Sequence, residues 1–171
     1  MNPLNMIRDM RTIGALLGEA ERIARRLGDE EPGAEHLLLA AVGLPDGSAG
    51  RALQAVGVSA VQLERAVVEV QAAGLERAGF EPGAAARLAE PVAVPPAEGV
   101  GVYRSSPTAQ ELFRAAGDRA RAARQRFAGV HVVLAASEVE AGTMRRVLDR
   151  LGIDRQRLRE VAEAELGDGR P

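Results

Sequence analysis

An internal repeat constrains this chain more than any other feature of its sequence. When the first half is shifted forward by 95 residues, it aligns without a gap on the second half, and His36 falls on His131. Matching residue types at a fixed separation indicate two copies of one structural unit. Other coinciding pairs include Leu39 with Leu134, Ala40 with Ala135, Ala41 with Ala136, Gly47 with Gly142, Arg51 with Arg146, Leu53 with Leu148, Gly57 with Gly152 and Leu63 with Leu158.

Apolar residues recur at helical spacing within each copy and predict four helices per copy. Residues up to about 9 are expected to form a loose arm. Residues 74–104 contain four prolines, which predicts a linker with a short helix near 84–88. The fourth helix is expected to bury Val61, Leu63, Val67, Val68 and Val70. The predicted helices span about 10–27, 35–42, 49–56 and 60–73, then 107–123, a segment around His131, 143–151 and 154–166.

Several residues predict where helices begin and end. Ser48 is expected to cap the third helix, Ser59 with Gln62 reads as a capping box, and Asp154 is expected to cap the last helix. Ser106 followed by Pro107 is typical of a helix start. Gly57 and Gly152 are expected to end helices in the left-handed conformation of a Schellman motif.

A four-helix unit of this size buries little apolar surface alone, so the two copies are expected to pack against each other. Hydrophobic residues make up 46% of the chain and aromatic residues only 2%, which predicts a core of Leu, Val and Ala. The predicted fold class is all-α, with two pseudo-twofold-related four-helix repeats in one domain, 1–171. Repeat one spans about 9–73, the linker 74–104, repeat two 105–166 and a tail 167–171.

Composition excludes several kinds of chemistry. The chain has no cysteine and no lysine, since all 22 basic residues are arginine. Disulfides, thiolate sites, a phosphate-binding P-loop lysine and Schiff-base catalysis are therefore excluded. The sequence has no signal-like or membrane-length apolar segment, so a cytoplasmic protein is expected. No cofactor is expected.

Glu35 and His36 form the sharpest candidate site, because they place a carboxylate beside an imidazole at a helix start. The second copy keeps His131 but has Val130 in place of the glutamate, which favours a structural role for both histidines. No further residues in the sequence complete a metal site, and none is expected. Two interpretations of Glu35 stay open: a carboxylate favoured by the helix dipole, or a receptor for a guanidinium group.

Two motifs carry a family resemblance. Residues 33–39 read Gly-Ala-Glu-His-Leu-Leu-Leu, and residues 53–58 read Leu-Gln-Ala-Val-Gly-Val. The corresponding segments of the second copy are 128–134 and 148–153. With the double repeat, these motifs resemble the amino-terminal domain of Clp unfoldases of the ClpA/ClpC type, over about residues 9–166.

The resemblance implies a non-enzymatic docking module that receives adaptors, substrates or Clp subunits, here expected as a stand-alone domain. It also points to cyclic peptides as ligands. In some members the signature glutamates contribute to phosphoarginine binding, but Ala34, Gly129 and Val130 replace residues of that signature, which leaves at most one such site at Glu35. The resemblance points to a groove between the first helices of the repeats, and its candidate residues are Leu16, Leu17, Glu21, Phe113 and Arg114.

An alternative from another class is a nucleic-acid-associated regulator. From Tyr103 onward the chain has 13 arginines against 10 acidic residues. These arginines are mixed with acids and lack interleaved aromatic residues, which favours solvated helix faces. Catalysis by a serine triad is not expected, because no nucleophile elbow accompanies the histidines.

Overall fold

A computed structural model describes residues 3–79 and 104–168, with side chains from 7 to 79 and from 104 to 167. These residues form eight α-helices and no strand, which confirms the predicted all-α double repeat. The first repeat contains α1 (Pro3–Arg26), α2 (Ala34–Val42), α3 (Ser48–Ala55) and α4 (Ala60–Arg77), and the second contains α5 (Pro107–Ala122), α6 (Gly129–Ser137), α7 (Gly142–Arg150) and α8 (Arg155–Asp168).

Three helices are longer than the sequence pattern predicts. The expected loose arm is wrong, because α1 begins at Pro3, and proline is favoured in the first helical position. Helix α4 continues to Arg77, since Leu75, Glu76 and Arg77 are good helix formers despite the preceding glycine. Helix α8 continues to Asp168, into the expected tail. The rest of the expected linker, including the short helix near 84–88, lies outside the described residues.

The predicted helix ends are largely present. The Ser59 hydroxyl accepts the N–H of Gln62, and the Gln62 side chain accepts the N–H of Ser59, which forms the capping box. Ser106 caps α5, and Asp154 accepts the N–H of Arg157 at the start of α8. Gly57 and Gly152 have φ values of 79° and 65°, and each is followed by the backbone hydrogen bonds of a Schellman motif.

Helices α2 and α6 form the centre of the domain and pack against each other. Residues 34–41 of α2 and all of α6 are buried. Around them, α3 of the first repeat packs on α6 and α8, while α7 of the second packs on α2 and α4. The two repeats therefore share one core, built mostly from Leu, Val and Ala. No described helix combines the length and the apolar character that a bilayer span requires.

The buried face of α4 differs in part from the prediction. Leu63, Val67 and Val70 are buried, but the side chain of Val61 is 77% exposed and Val68 is only partly buried. Val61 lies two positions before the fully buried Leu63, which places it on the opposite side of the helix. The helix buries Ala66 in addition, so its apolar stripe is narrower than the run of valines indicates.

Ion pairs between the repeats join equivalent pairs of helices. Arg51 of α3 binds Glu165 of α8 through Nε and Nη2, at 2.8 and 2.5 Å from Oε1. On the other side, Arg150 of α7 binds Glu69 of α4, with 2.7 Å between Nε and Oε2. The two pairs do not occupy equivalent sequence positions, although they connect equivalent helices.

Candidate functional site

His36 is fully buried at the start of α2, and both of its ring nitrogens face polar groups. Nδ1 accepts the backbone N–H of Gly33 at 2.8 Å. In the neutral ring the proton therefore lies on Nε2, which is 3.2 Å from Oδ2 of Asp29. The side-chain amide of Gln71 donates to the same carboxylate. His36 thus ties the start of α2 to the end of α1 and to α4.

Glu35 is buried rather than exposed, with only 7% of its surface accessible. Its carboxylate curls back over Gly33, where an added Cβ would lie 2.3 Å from Oε1, so only glycine leaves it room. Its Oε1 lies 3.7 Å from Nδ1 of His36. This placement disagrees with the interpretation of Glu35 as an open receptor on the surface.

Asp29, Glu35 and His36 bring one ligand atom each within 4.8 Å of one another, although the sequence had shown no third candidate ligand. The arrangement nevertheless fits a hydrogen-bonded helix start better than a metal site. The nearest carboxylates lie at opposite nitrogens of the imidazole, and the Nδ1 lone pair is already used by Gly33. A metal ion would bind one imidazole nitrogen through a free lone pair, and both carboxylates would have to lie on that side of the ring.

His131 keeps only half of this arrangement. Its Nδ1 accepts the backbone N–H of Ala128 at 3.1 Å, as His36 does with Gly33. Its Nε2 is buried and has no hydrogen-bond partner among the described residues. The ring packs beside Phe127, with 6.1 Å between ring centroids. Burial lowers the pKa of His131 below that of a free histidine, since the charged form would lose its solvation.

The turn between α2 and α3 caps α6 of the other repeat. The Asp46 carboxylate accepts the N–H of Gly129 at 3.1 Å, and the Ser48 hydroxyl accepts the N–H of Val130 at 2.9 Å. The prediction that Ser48 caps its own helix is wrong: Gly47 holds that position at a φ of 65°, and Ser48 is the first residue of α3. Sequence patterns indicate hydrogen-bond partners that are close in the sequence, whereas Ser48 and Val130 are more than eighty residues apart.

The residues expected in a groove between α1 and α5 differ in their exposure. Leu16 has no exposed surface and belongs to the core, so it cannot contact a partner directly. Leu17 is half-buried against that core, and Glu21 is paired with Arg25 on α1. Phe113 is half-buried and packs near Phe127, with ring centroids 6.0 Å apart. Arg114 is exposed on α5.

Arg114 lines a cleft that also includes Ala34 at the start of α2. We call this space, about 670 Å³, the α5 cleft. Its walls are α5, the turn between α6 and α7, and Ala34 at the start of α2. Apolar side chains and three glutamates share its lining, which consists of Ala34, Thr108, Glu111, Leu112, Arg114, Ala115, Ala135, Glu138, Val139, Glu140, Ala141, Gly142, Thr143 and Met144.

Comparisons with known proteins agree with the double repeat. The Clp repeat (R) N-terminal domain family matches residues 12–89 and 104–171. Among solved structures, the chain is similar to the N-terminal domain of the caseinolytic-protease-associated chaperone ClpD from Arabidopsis thaliana. The two share 21% sequence identity and a TM-score of 0.60, with 92% of each chain covered, which shows the fold. No curated protein matches. Because the family match includes both repeats and most of the chain, the protein belongs to the Clp repeat N-terminal domain family.

Proposed function

We propose that this protein is a docking module of a Clp chaperone system and that the α5 cleft receives an extended segment of its partner. Clp N-terminal domains are non-catalytic protein-interaction modules of Clp chaperones. The partner in this proposal is a substrate, an adaptor or a Clp subunit. A variant of the same role is sequestration of cyclic peptides that would otherwise occupy a complete unfoldase.

The observation that carries the proposal is the composition of the α5 cleft. Its volume of about 670 Å³ lies within the usual range for ligand pockets, roughly 300–1,000 Å³. Ala115 and Val139, which are only partly buried, give it apolar walls, while Arg114 and Glu111 offer charged groups at its edge. Apolar walls with a few polar groups suit a peptide side chain and fix its orientation.

The proposal does not include recognition of phosphoarginine. Recognition of that group needs a carboxylate for the guanidinium and donors for the phosphate. Glu35 is buried under Gly33, and Val130 occupies the equivalent position in α6. We therefore expect the module to bind segments that carry no phosphoarginine.

The nucleic-acid alternative receives little support from the arginines of the second repeat. Seven of its ten arginines from Arg119 to Arg159 form ion pairs with carboxylates in the described part of the chain. The neighbouring carboxylates reduce the positive field that would attract a phosphate backbone. The docking hypothesis therefore remains the stronger of the two.

A retention experiment tests the docking hypothesis. The immobilised protein is exposed separately to a Clp ATPase, the protease core, casein and phosphoarginine-bearing casein. Ala115→Arg places a long side chain in the α5 cleft, whereas Ala122→Arg adds the same side chain at an exposed position of α5 outside it. We expect at least one bait to be retained by the unchanged protein and by Ala122→Arg, and to be lost with Ala115→Arg.

Two outcomes would contradict the proposal. If no bait is retained, the docking role is wrong. If Ala115→Arg retains its bait as well as Ala122→Arg does, while both variants keep the helical circular dichroism of the parent, docking does not use the α5 cleft. An electrophoretic shift with DNA or RNA that collapses as salt is raised would instead favour the nucleic-acid alternative.

A further inference from the structure

Another cleft lies between α4 and α7, and three arginines line it. We call this space of about 510 Å³ the arginine cleft. Val70 and Ala73 of α4 form its apolar wall. Its charged lining consists of Arg77, Arg146, Arg150 and Asp149, and it shares no lining residue with the α5 cleft.

The charges around the arginine cleft are only partly balanced within the chain. Arg150 is paired with Glu69, and Asp149 is paired with Arg145 on its own helix. Arg77 donates only to a backbone carbonyl, that of Ala73, at 2.9 Å. Arg146 donates to the Thr143 hydroxyl at 3.3 Å. Neither Arg77 nor Arg146 forms an ion pair in the part of the chain that the structure describes.

The other repeat shows what group fits beside such an arginine. Arg146 is the repeat equivalent of Arg51, because the two lie 95 residues apart. Arg51 is bound by Glu165 of α8, and the repeat equivalent of Glu165 is Val70. The second position has thus kept the guanidinium and lost the carboxylate. Helices α4 and α7 pack together as α8 and α3 do, so each arginine lies between an equivalent pair of helices.

We propose that the arginine cleft binds an acidic segment of a partner protein, whose carboxylate takes the place that Glu165 holds beside Arg51. Arg146 and Arg77 would provide charge-assisted hydrogen bonds, and Val70 and Ala73 would contact the aliphatic part of the acidic side chain. A nucleic acid fits less well, since single-stranded binding uses aromatic platforms and a long basic track, and no aromatic residue lines this cleft. The proposal goes beyond docking at the α5 cleft and does not depend on it.

Fluorescence anisotropy with a labelled octapeptide of alternating glutamate and leucine tests the proposal. Binding of the parent is expected to weaken as salt is raised. Arg146→Ala should weaken it by about tenfold or more, because it removes a charged donor from the contact, and Arg77→Ala should also weaken it. Arg121→Ala is the matched control, since it removes an exposed arginine from α5. An equal loss in the control would overturn the proposal, because net charge alone would then explain binding.

Exchanging residues between the two sides tests the equivalence directly. Val70→Glu restores an internal carboxylate beside Arg146 and is expected to abolish peptide binding. Glu165→Val removes the carboxylate beside Arg51 and is expected to add a second, weaker peptide contact, because Ala55 stands there in place of Arg150. If Val70→Glu does not fold, as judged by circular dichroism, Arg146→Ala and Glu165→Val decide the question. Tighter binding of a thymidine decanucleotide or of inorganic phosphate than of the peptide would overturn the assignment to an acidic protein segment.

Discussion

The two histidines hold the same position in the two repeats but have different surroundings. In both, Nδ1 accepts the N–H of the residue that precedes the helix, Gly33 or Ala128. His36 also directs Nε2 towards Asp29, whereas Nε2 of His131 is buried without a partner among the described residues. The contact of Nδ1 sets the geometry of the helix start in both repeats, and the contact of Nε2 with a carboxylate is made at His36 but not at His131.

The ends of α1 and α5 explain why the second contact is missing. Each helix is followed by a left-handed residue, Gly28 or Arg124, and the next N–H closes the same backbone hydrogen bond. That next residue is Asp29 in repeat one and Gln125 in repeat two. Gly28 and Arg124 are 96 positions apart, so the prediction of a 95-residue alignment without a gap is wrong by one residue at the ends of α1 and α5. The Gln125 amide donates to the carbonyl of Leu166 and leaves no carboxylate for His131. Conserving the backbone turn therefore does not conserve the polar network built on it.

Leucine substitutions of the two histidines test this comparison, and they have the largest expected effects on the free energy of unfolding. His36→Leu is expected to lower the free energy of unfolding by about 2–3 kcal/mol, since it strands the buried N–H of Gly33 and removes the contact with Asp29. His131→Leu should cost about 1 kcal/mol less, because it also removes a buried Nε2 that has no partner. Urea denaturation of both variants measures the difference.

Arg22→Ala on the exposed side of α1 is the control for this pair, and it should change stability by less than about 0.5 kcal/mol. Equal losses for the two leucine variants would show that Asp29 adds nothing to the stability of the first repeat. A larger loss for His131→Leu would contradict the comparison.

The helix starts next to these histidines also differ in the space around them. Ala34 faces the open α5 cleft, whereas a Cβ at its equivalent, Gly129, would lie 2.8 Å from the carbonyl oxygen of Ala41. Gly129→Ala is expected to cost about 2 kcal/mol, because a backbone carbonyl on a buried helix cannot move away cheaply.

Gly14→Ala provides a control of opposite sign. Gly14 lies in the exposed interior of α1, and nothing lies within 4 Å of an added Cβ there. This substitution should stabilise the protein by about 0.5–1 kcal/mol through helix propensity. Thermal melts of the two variants should therefore shift in opposite directions, and a stabilising Gly129→Ala would contradict the close contact with Ala41.

The cap between the repeats predicts a smaller effect. Asp46→Ala removes the carboxylate that accepts the N–H of Gly129, and a lost cap of this kind costs about 1 kcal/mol. Ala141 is the repeat equivalent of Asp46 and lines the α5 cleft beside Ala34. Ala141→Asp should therefore stabilise α2 by about 0.5 kcal/mol through its helix dipole. Loss of stability on Ala141→Asp would show that the two turns are not equivalent.

Much of the fold could be predicted from the sequence because its signals are local. Gly57 and Gly152 mark helix ends through their own backbone conformation, and Ser59 and Ser106 bond to amides three residues away. The failure at the start of α1 has a physical cause as well. Leu4 and Ile7 continue the spacing of Met10 and Ile13, and helix formation extends cooperatively from a helix that is already present.

The candidate site was less predictable, because its contacts join distant parts of the chain. Nothing in residues 29–36 indicates that Gln71 completes the polar group around His36. The turn Asp46-Gly47-Ser48 reads as a cap for α3, and only the packing of the repeats assigns it to α6. Glu35 was singled out by its residue type, although burial under Gly33 withdraws it from the surface.

The smallest expected effect concerns the pH dependence of stability that arises at His131. Burial lowers the pKa of His131 in the folded protein, so the unfolded chain binds a proton at a higher pH than the folded one does. The contribution to stability is complete above the unfolded pKa, about 6.5, and is lost as the pH falls below it. Urea midpoints measured from about pH 7.5 to about pH 5.5 should therefore decrease in the parent, and the decrease should be smaller in His131→Leu. If the urea midpoint of that variant depends on pH as steeply as that of the parent, other groups cause the acid sensitivity. The unpaired Nε2 of His131 would then contribute nothing to it.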